Sequence, residues 1–226
     1  MKSKVTFLIT VCFIMGIITA IPGSSAGQQA ETTTSDPVKL QNPLSVKYLK
    51  TNLRKSRPRL VLTPAIEKNL KDKIKSDEVV KNYYAAIKLN AEQILQAPLL
   101  TRKMEGRRLL AVSREMLYRM NILSMVYRME RKPEIVKRID DEVRAVCNFS
   151  DWNPSHFLDV AEMSLAVAIA VDWVGEALPK ATADLAVTSL IEKGIKPSYP
   201  AQGVPGWVNG TNNWNQVCNG GMIAAS

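Results

Sequence analysis

A chain of 226 residues, 46% apolar and 6% aromatic, is long enough to bury a sizeable core and is neither fibrous nor intrinsically disordered. Its 30 Lys and Arg outnumber 21 Asp and Glu, a formal charge of +9 that suits polyanionic partners and equally suits a basic but inert surface. Three cysteines without metal-ligand spacing exclude a disulfide scaffold and give no sign of structural zinc.

Lys2 and Lys4 make a basic start, Val5 to Ala20 is an almost unbroken apolar run, and Ser24-Ser-Ala26 offers small residues for cleavage before Gly27. Residues 1–26 therefore read as a signal peptide of an exported, periplasmic or secreted protein, with no stable membrane anchor after cleavage. A retained anchor is the competing reading, although the run is slightly short for a span. Cys12 lies inside the run rather than at its end, which argues against lipidation of a mature terminus. Without Lys2 and Lys4, 28 basic residues stand against 21 acidic ones, leaving +7. Cys147 and Cys218 also remain, either as buried thiols or as a disulfide.

Residues 27–56 read as a solvated linker rich in Thr, Ser, Gln and Pro. Arg54, Lys55, Arg57 and Arg59 follow on as a solvated approach or a polyanion clamp. Thr63-Pro64 then caps and opens a helix to Lys75, and Ser76-Asp-Glu78 restarts one that runs to about Gln96, before Pro98. From about Glu105 to Arg131, Leu109, Val112, Met116, Met120, Leu123 and Tyr127 recur at helical spacing. Six arginines share that segment: a row that could bind uronates bidentately, or an ordinary solvated face. Pro133 opens a helix ending near Asn148. Ser155 to Ala177 is apolar nearly all round and should be buried, and a helix from about Ala181 to Lys193 is closed by Gly194. Six helices joined by short connections, with no convincing alternating strand, define an all-α class.

A long Pro- and Gly-rich loop, 195–211, delivers Trp207 to the densest polar stretch of the chain. There Asn209, Asn212, Asn213, Asn215 and Asn219 stand with Gln216 and Trp214 among glycines. Neutral amide donors beside a flat aromatic face suit a sugar acid better than a metal or a nucleotide phosphate. The same asparagines could simply cap a helix and satisfy a loop. His156 is the sole histidine. It is either a helix-start residue satisfying backbone groups or a member of a substrate cleft, and Asp159 shares its helix face more closely than Glu162 does. No metal site is expected from these three.

Asn212-Asn-Trp-Asn-Gln-Val-Cys-Asn-Gly-Gly-Met222 resembles the central loop-and-helix motif of the heparinase II/III-like polysaccharide lyases, which include oligoalginate lyases. Arg57-Pro-Arg-Leu-Val-Leu-Thr-Pro64 resembles the motif that opens the helical domain of that family, and Trp152-Asn-Pro-Ser-His-Phe-Leu-Asp-Val-Ala-Glu-Met163 resembles a helix of its toroid. The resemblance covers residues 57–226 and implies an incomplete (α/α) toroid of paired antiparallel helices, lacking the C-terminal β-sandwich of the family. It implies β-elimination on an acidic polysaccharide or oligosaccharide such as alginate or a glycosaminoglycan, with no cofactor and no nucleic acid partner. Asn213 and Asn219 are then the catalytic candidates for contacting the uronate carboxylate, and Trp207, Trp214, Gln216 and His156 the substrate-binding ones. Oligoalginate lyases often carry a histidine where Asn219 stands, which changes the charge available to the substrate. The resemblance places the catalytic tyrosine beyond Ser226, so the chain is expected to be a fragment without lyase activity. A non-catalytic exported module that holds acidic polysaccharide is the alternative.

Overall fold

The computed structural model describes residues 45–226, so the expected signal peptide and residues 27–44 of the expected linker lie outside the described residues. Two units divide the chain between Leu49 and Lys50, and only residues 45–49 of the first are described. Helix α1, Val46–Asn52, with no buried residue, occupies part of the stretch read as linker. The second unit is all-α. No strand occurs among the described residues, where Glu105 and Arg108 form an isolated antiparallel bridge.

Local chemistry explains where most helices begin. The Thr63 side chain accepts the Ile66 N–H at the start of α2, Pro64–Ser76, and Pro64 holds the first helical position. Asp77 accepts the Val79 and Val80 N–H groups to open α3, Glu78–Gln96. Helix α4, Leu110–Glu130, starts about five residues later than its apolar spacing suggests. Gly106, at φ 59°, turns the chain back so that Glu105 pairs with Arg108, and the helix begins only after that turn. Helix α5, Pro133–Cys147, opens on proline as expected.

Helix α6, Phe157–Val174, is the central element: every residue but Leu165 is buried. It packs most extensively on α4 and on α8, Asn213–Ala225, while α5 touches both α4 and α6. Burial of each Val, Ile or Leu here is worth about 1.5–3 kcal/mol relative to exposure. Helix α7, Lys180–Ser189, packs on α5. Gly194 does not end α7. The chain continues through a π-helical turn, Leu190–Ile195, and a 3-10 turn, Lys196–Ser198. A Cβ on Gly194 would lie 2.6 Å from the Ser164 hydroxyl, so this glycine serves close packing on α6 rather than termination. None of the described helices is long and apolar enough to cross a membrane.

The six arginines of the α4 segment do not all face solvent. Arg119 is 5% exposed and is held by Glu115, Glu142 and the Pro98 carbonyl. Arg128 binds Glu67 and the Trp173 carbonyl. Charges buried to this degree stand only because each has partners.

Candidate functional site

The site is built where the N-terminus of α6 meets the loop before α8. Trp152 is fully buried and donates its indole N–H to the Val146 carbonyl at 3.0 Å, which fixes the approach to α6. Asn153 follows in the left-handed region, φ 62°, a conformation asparagine tolerates better than most side chains. Its amide donates to the Arg107 carbonyl at 2.9 Å and to Asp159 Oδ2 at 2.6 Å.

Asp159 is fully buried and collects three donors: the Asn153 amide, the Leu109 N–H at 2.6 Å, and His156 Nδ1 at 2.7 Å from Oδ1. An ionised carboxylate only accepts, so the proton of a neutral His156 sits on Nδ1 and the Nε2 lone pair is left for another partner. The His156 side chain is 15% exposed. The imidazole meets Trp214 edge-on, with ring centroids 4.9 Å apart at 78°. Next to it Phe157 stacks on Trp207 at 4.8 Å and 22°. Sequence spacing brought out His156 and its Asp159 neighbour; Asn153 and the Leu109 N–H, which complete the carboxylate's coordination, come from separate segments and left no local signal.

One turn further along α6, Glu162 is bound by Arg114, whose Nε lies 3.2 Å from both carboxylate oxygens. Burial raises the Glu162 pKa above its ordinary value of 4.5; Asp159 adds to the rise, and Arg114 and His156 oppose it. Cys218 of α8 is buried as well, and desolvation, with the Glu162 charge, pushes its thiol up to about 11. Cys147 and Cys218 are both free thiols.

The asparagines of the last stretch divide by role. Asn212 caps α8 by accepting the Trp214 N–H, and Asn215 donates to the Trp207 and Val208 carbonyls, which ties the loop to the helix. Asn219 donates to the Asn215 carbonyl one turn back. Asn213 and Gln216 are exposed, and Gln216 reaches Asn215 only at 3.4 Å. At 3.6 residues per turn, Asn213 and Asn219 stand about 120° apart around α8 with Gln216 between them. The three amides thus fan over the outer side of the helix, while Cys218 and Gly221 are buried. A Cβ on Gly221 would lie 2.5 Å from the Ala161 carbonyl oxygen, so the two helix backbones touch there. The structure brings His156, Trp214 and Trp207 together, and leaves Asn213, Gln216 and Asn219 as a separate amide face.

Among the described residues no group of three or more His, Cys, Asp and Glu side chains could hold a metal ion. Compared with known proteins, the chain matches no family model and no curated protein.

Proposed function

We propose that residues 57–226 are the substrate-holding, helical part of a polysaccharide lyase of the heparinase II/III-like kind, acting on uronic acid polymers by β-elimination. One observation carries this reading: the three stretches that resemble the family all dock on α6. The Trp152 to Met163 stretch forms its start. The Asn212 to Met222 stretch packs on it through Trp214, Cys218 and Gly221. The Arg57 to Pro64 stretch binds its far end, where Asp172 accepts the Arg59 and Leu60 N–H groups at 2.6 and 2.8 Å and Trp173 donates to the Leu60 carbonyl. Contacts of α4, α6 and α8 in series, with α5 and α7 packed beside them, fit part of a two-layered toroid of paired helices.

In this reading the amides of Asn213, Gln216 and Asn219 meet the uronate carboxylate. They reduce the repulsion that opposes removal of the neighbouring proton and donate to the enolate-like charge as it forms. His156, oriented by Asp159, contributes a nitrogen beside the aromatic faces of Trp214 and Trp207, against which a sugar ring can lie. In this reading the chain holds substrate, and turnover by it alone is not expected. A binding module that never cuts is the second reading. It is favoured by the structural work of Asn212, Asn215 and Asn219, which leaves neutral donors better suited to holding than to proton transfer.

Calorimetric titration of the purified chain with oligoalginate and with heparan-type oligosaccharides tests both. Binding weakened by His156→Gln and Asn213→Ala, without unsaturated product in the ultraviolet, is the expected result. Turnover by this chain would refute the holding role, and no binding to any uronate would refute both readings.

A further inference from the structure

The far end of α6 carries a second site, about 25 Å from His156 by the rise of the helix. There a cavity of about 880 Å³ opens between the segment before Pro58, the C-terminal end of α4 and the start of α7. Cations enter from all three directions: Lys55 and Arg57, Arg128 and Arg131, and Lys180. Two carboxylates line the wall, Asp172 and Glu176. Asp172 is engaged by the Arg59 and Leu60 N–H groups, and Arg128 is neutralised by Glu67.

Lys55 and Arg57 have no carboxylate partner among the described residues. Arg57 gives Nη1 to the Val171 carbonyl at 3.1 Å, which anchors its guanidinium in the wall with further N–H groups to offer. Arg131 shares Glu67 with Arg128 at a long 3.4 Å, lies 4.9 Å above the Tyr127 ring and remains half exposed. Its backbone sits at φ 58°, the left-handed cap that ends α4. The volume lies within the range of organic ligand sites, roughly 300–1,000 Å³, and exceeds what one inorganic ion fills.

We infer that this cavity binds an organic anion carrying more than one sulfate- or phosphate-type group, gripped by Lys55, Arg57 and Arg131. Guanidinium and ammonium donors on two walls, with Lys180 on the third, match several oxyanion groups held apart on one molecule. The inference does not rest on the lyase reading.

Titration of the full chain with tripolyphosphate, with sucrose octasulfate and with sucrose tests it. At least one charged probe should bind saturably and sucrose should not; the probe that binds tells phosphate from sulfate. The Lys55→Gln/Arg57→Gln double variant should weaken that binding on the order of tenfold or more. Lys103→Gln/Lys137→Gln, which removes the same charge elsewhere, and His156→Gln should each leave it within about twofold. Circular dichroism establishes that each variant is folded. Absence of binding by both charged probes, or equal weakening in both double variants, overturns the inference.

Discussion

Asp159 accepts three hydrogen bonds where solvent does not reach, and removing an acceptor in such a place strands donors from two different segments, the turn before α6 and the start of α4. Asp159→Ala should therefore destabilise the protein by about 3 kcal/mol in urea denaturation. Asp159→Asn should be milder, because its carbonyl oxygen can keep both Oδ2 donors while its amide donates to the other tautomer of His156. His156→Gln should cost only about 1 kcal/mol, since Asp159 keeps its other two partners. Glu162 titrates in the opposite sense to a paired surface acid. Its folded pKa is raised, so the folded protein binds the proton more tightly than the unfolded chain. The contribution of Glu162 is fully present below 4.5, its unfolded value, and is lost as pH rises through the raised folded value. Glu162→Gln should flatten the fall of the stability profile above about pH 4.5, and an unchanged slope would locate that dependence elsewhere. Glu67 behaves the other way. Burial alone would raise its pKa, but hydrogen bonds from Lys71 and Arg128 lower it, so its contribution stands above 4.5 and fades as pH falls through the folded value.

At the scale of elements, α8 approaches the α6 backbone most closely at Gly221, with no room to adjust. Gly221→Ala forces the Cβ into the Ala161 carbonyl, and the helices must separate. A loss of about 2–3 kcal/mol is expected, the usual cost of overpacking against backbone. Gly220, its neighbour in the same helix, meets nothing within 4 Å of an added Cβ. Gly220→Ala should stabilise by about 0.5–1 kcal/mol through helix propensity alone. Urea midpoints of the two variants moving in opposite directions would separate the close approach from a general intolerance of α8.

Over the whole molecule, helical periodicity and caps made most of the architecture legible: Thr63 and Pro133 mark helix starts through contacts within a few residues, and the cap expected at Ser76 falls one residue on, at Asp77. What escaped depends on partners far along the chain. Leu109 stays outside α4 while its N–H serves Asp159, fifty residues on. Gly194 carries the usual sign of a helix end, yet its meaning lies in Ser164, on another helix. Arg119 looks like a solvent residue until Glu142 is placed beside it. At the site, His156, Trp207 and Trp214 were legible as candidates, but their meeting was not, because it is made by the packing of α8 on α6. The packed interior also governs reactivity. Cys147 and Cys218 are buried, with thiols pushed up to about 11, so alkylation at about pH 8 should be slow in the folded protein and fast in urea. Peptide mapping distinguishes both from Cys12, and rapid native labelling of either would contradict the packing.

The edge contact between His156 and Trp214 is also an optical device. An imidazole in contact with an indole drains part of its excited state. Trp152 and Trp173 lie in the core, whereas Trp207 and Trp214 are only partly covered. Emission that recovers when a ligand separates the two rings lets the protein report occupancy of its own site without a label.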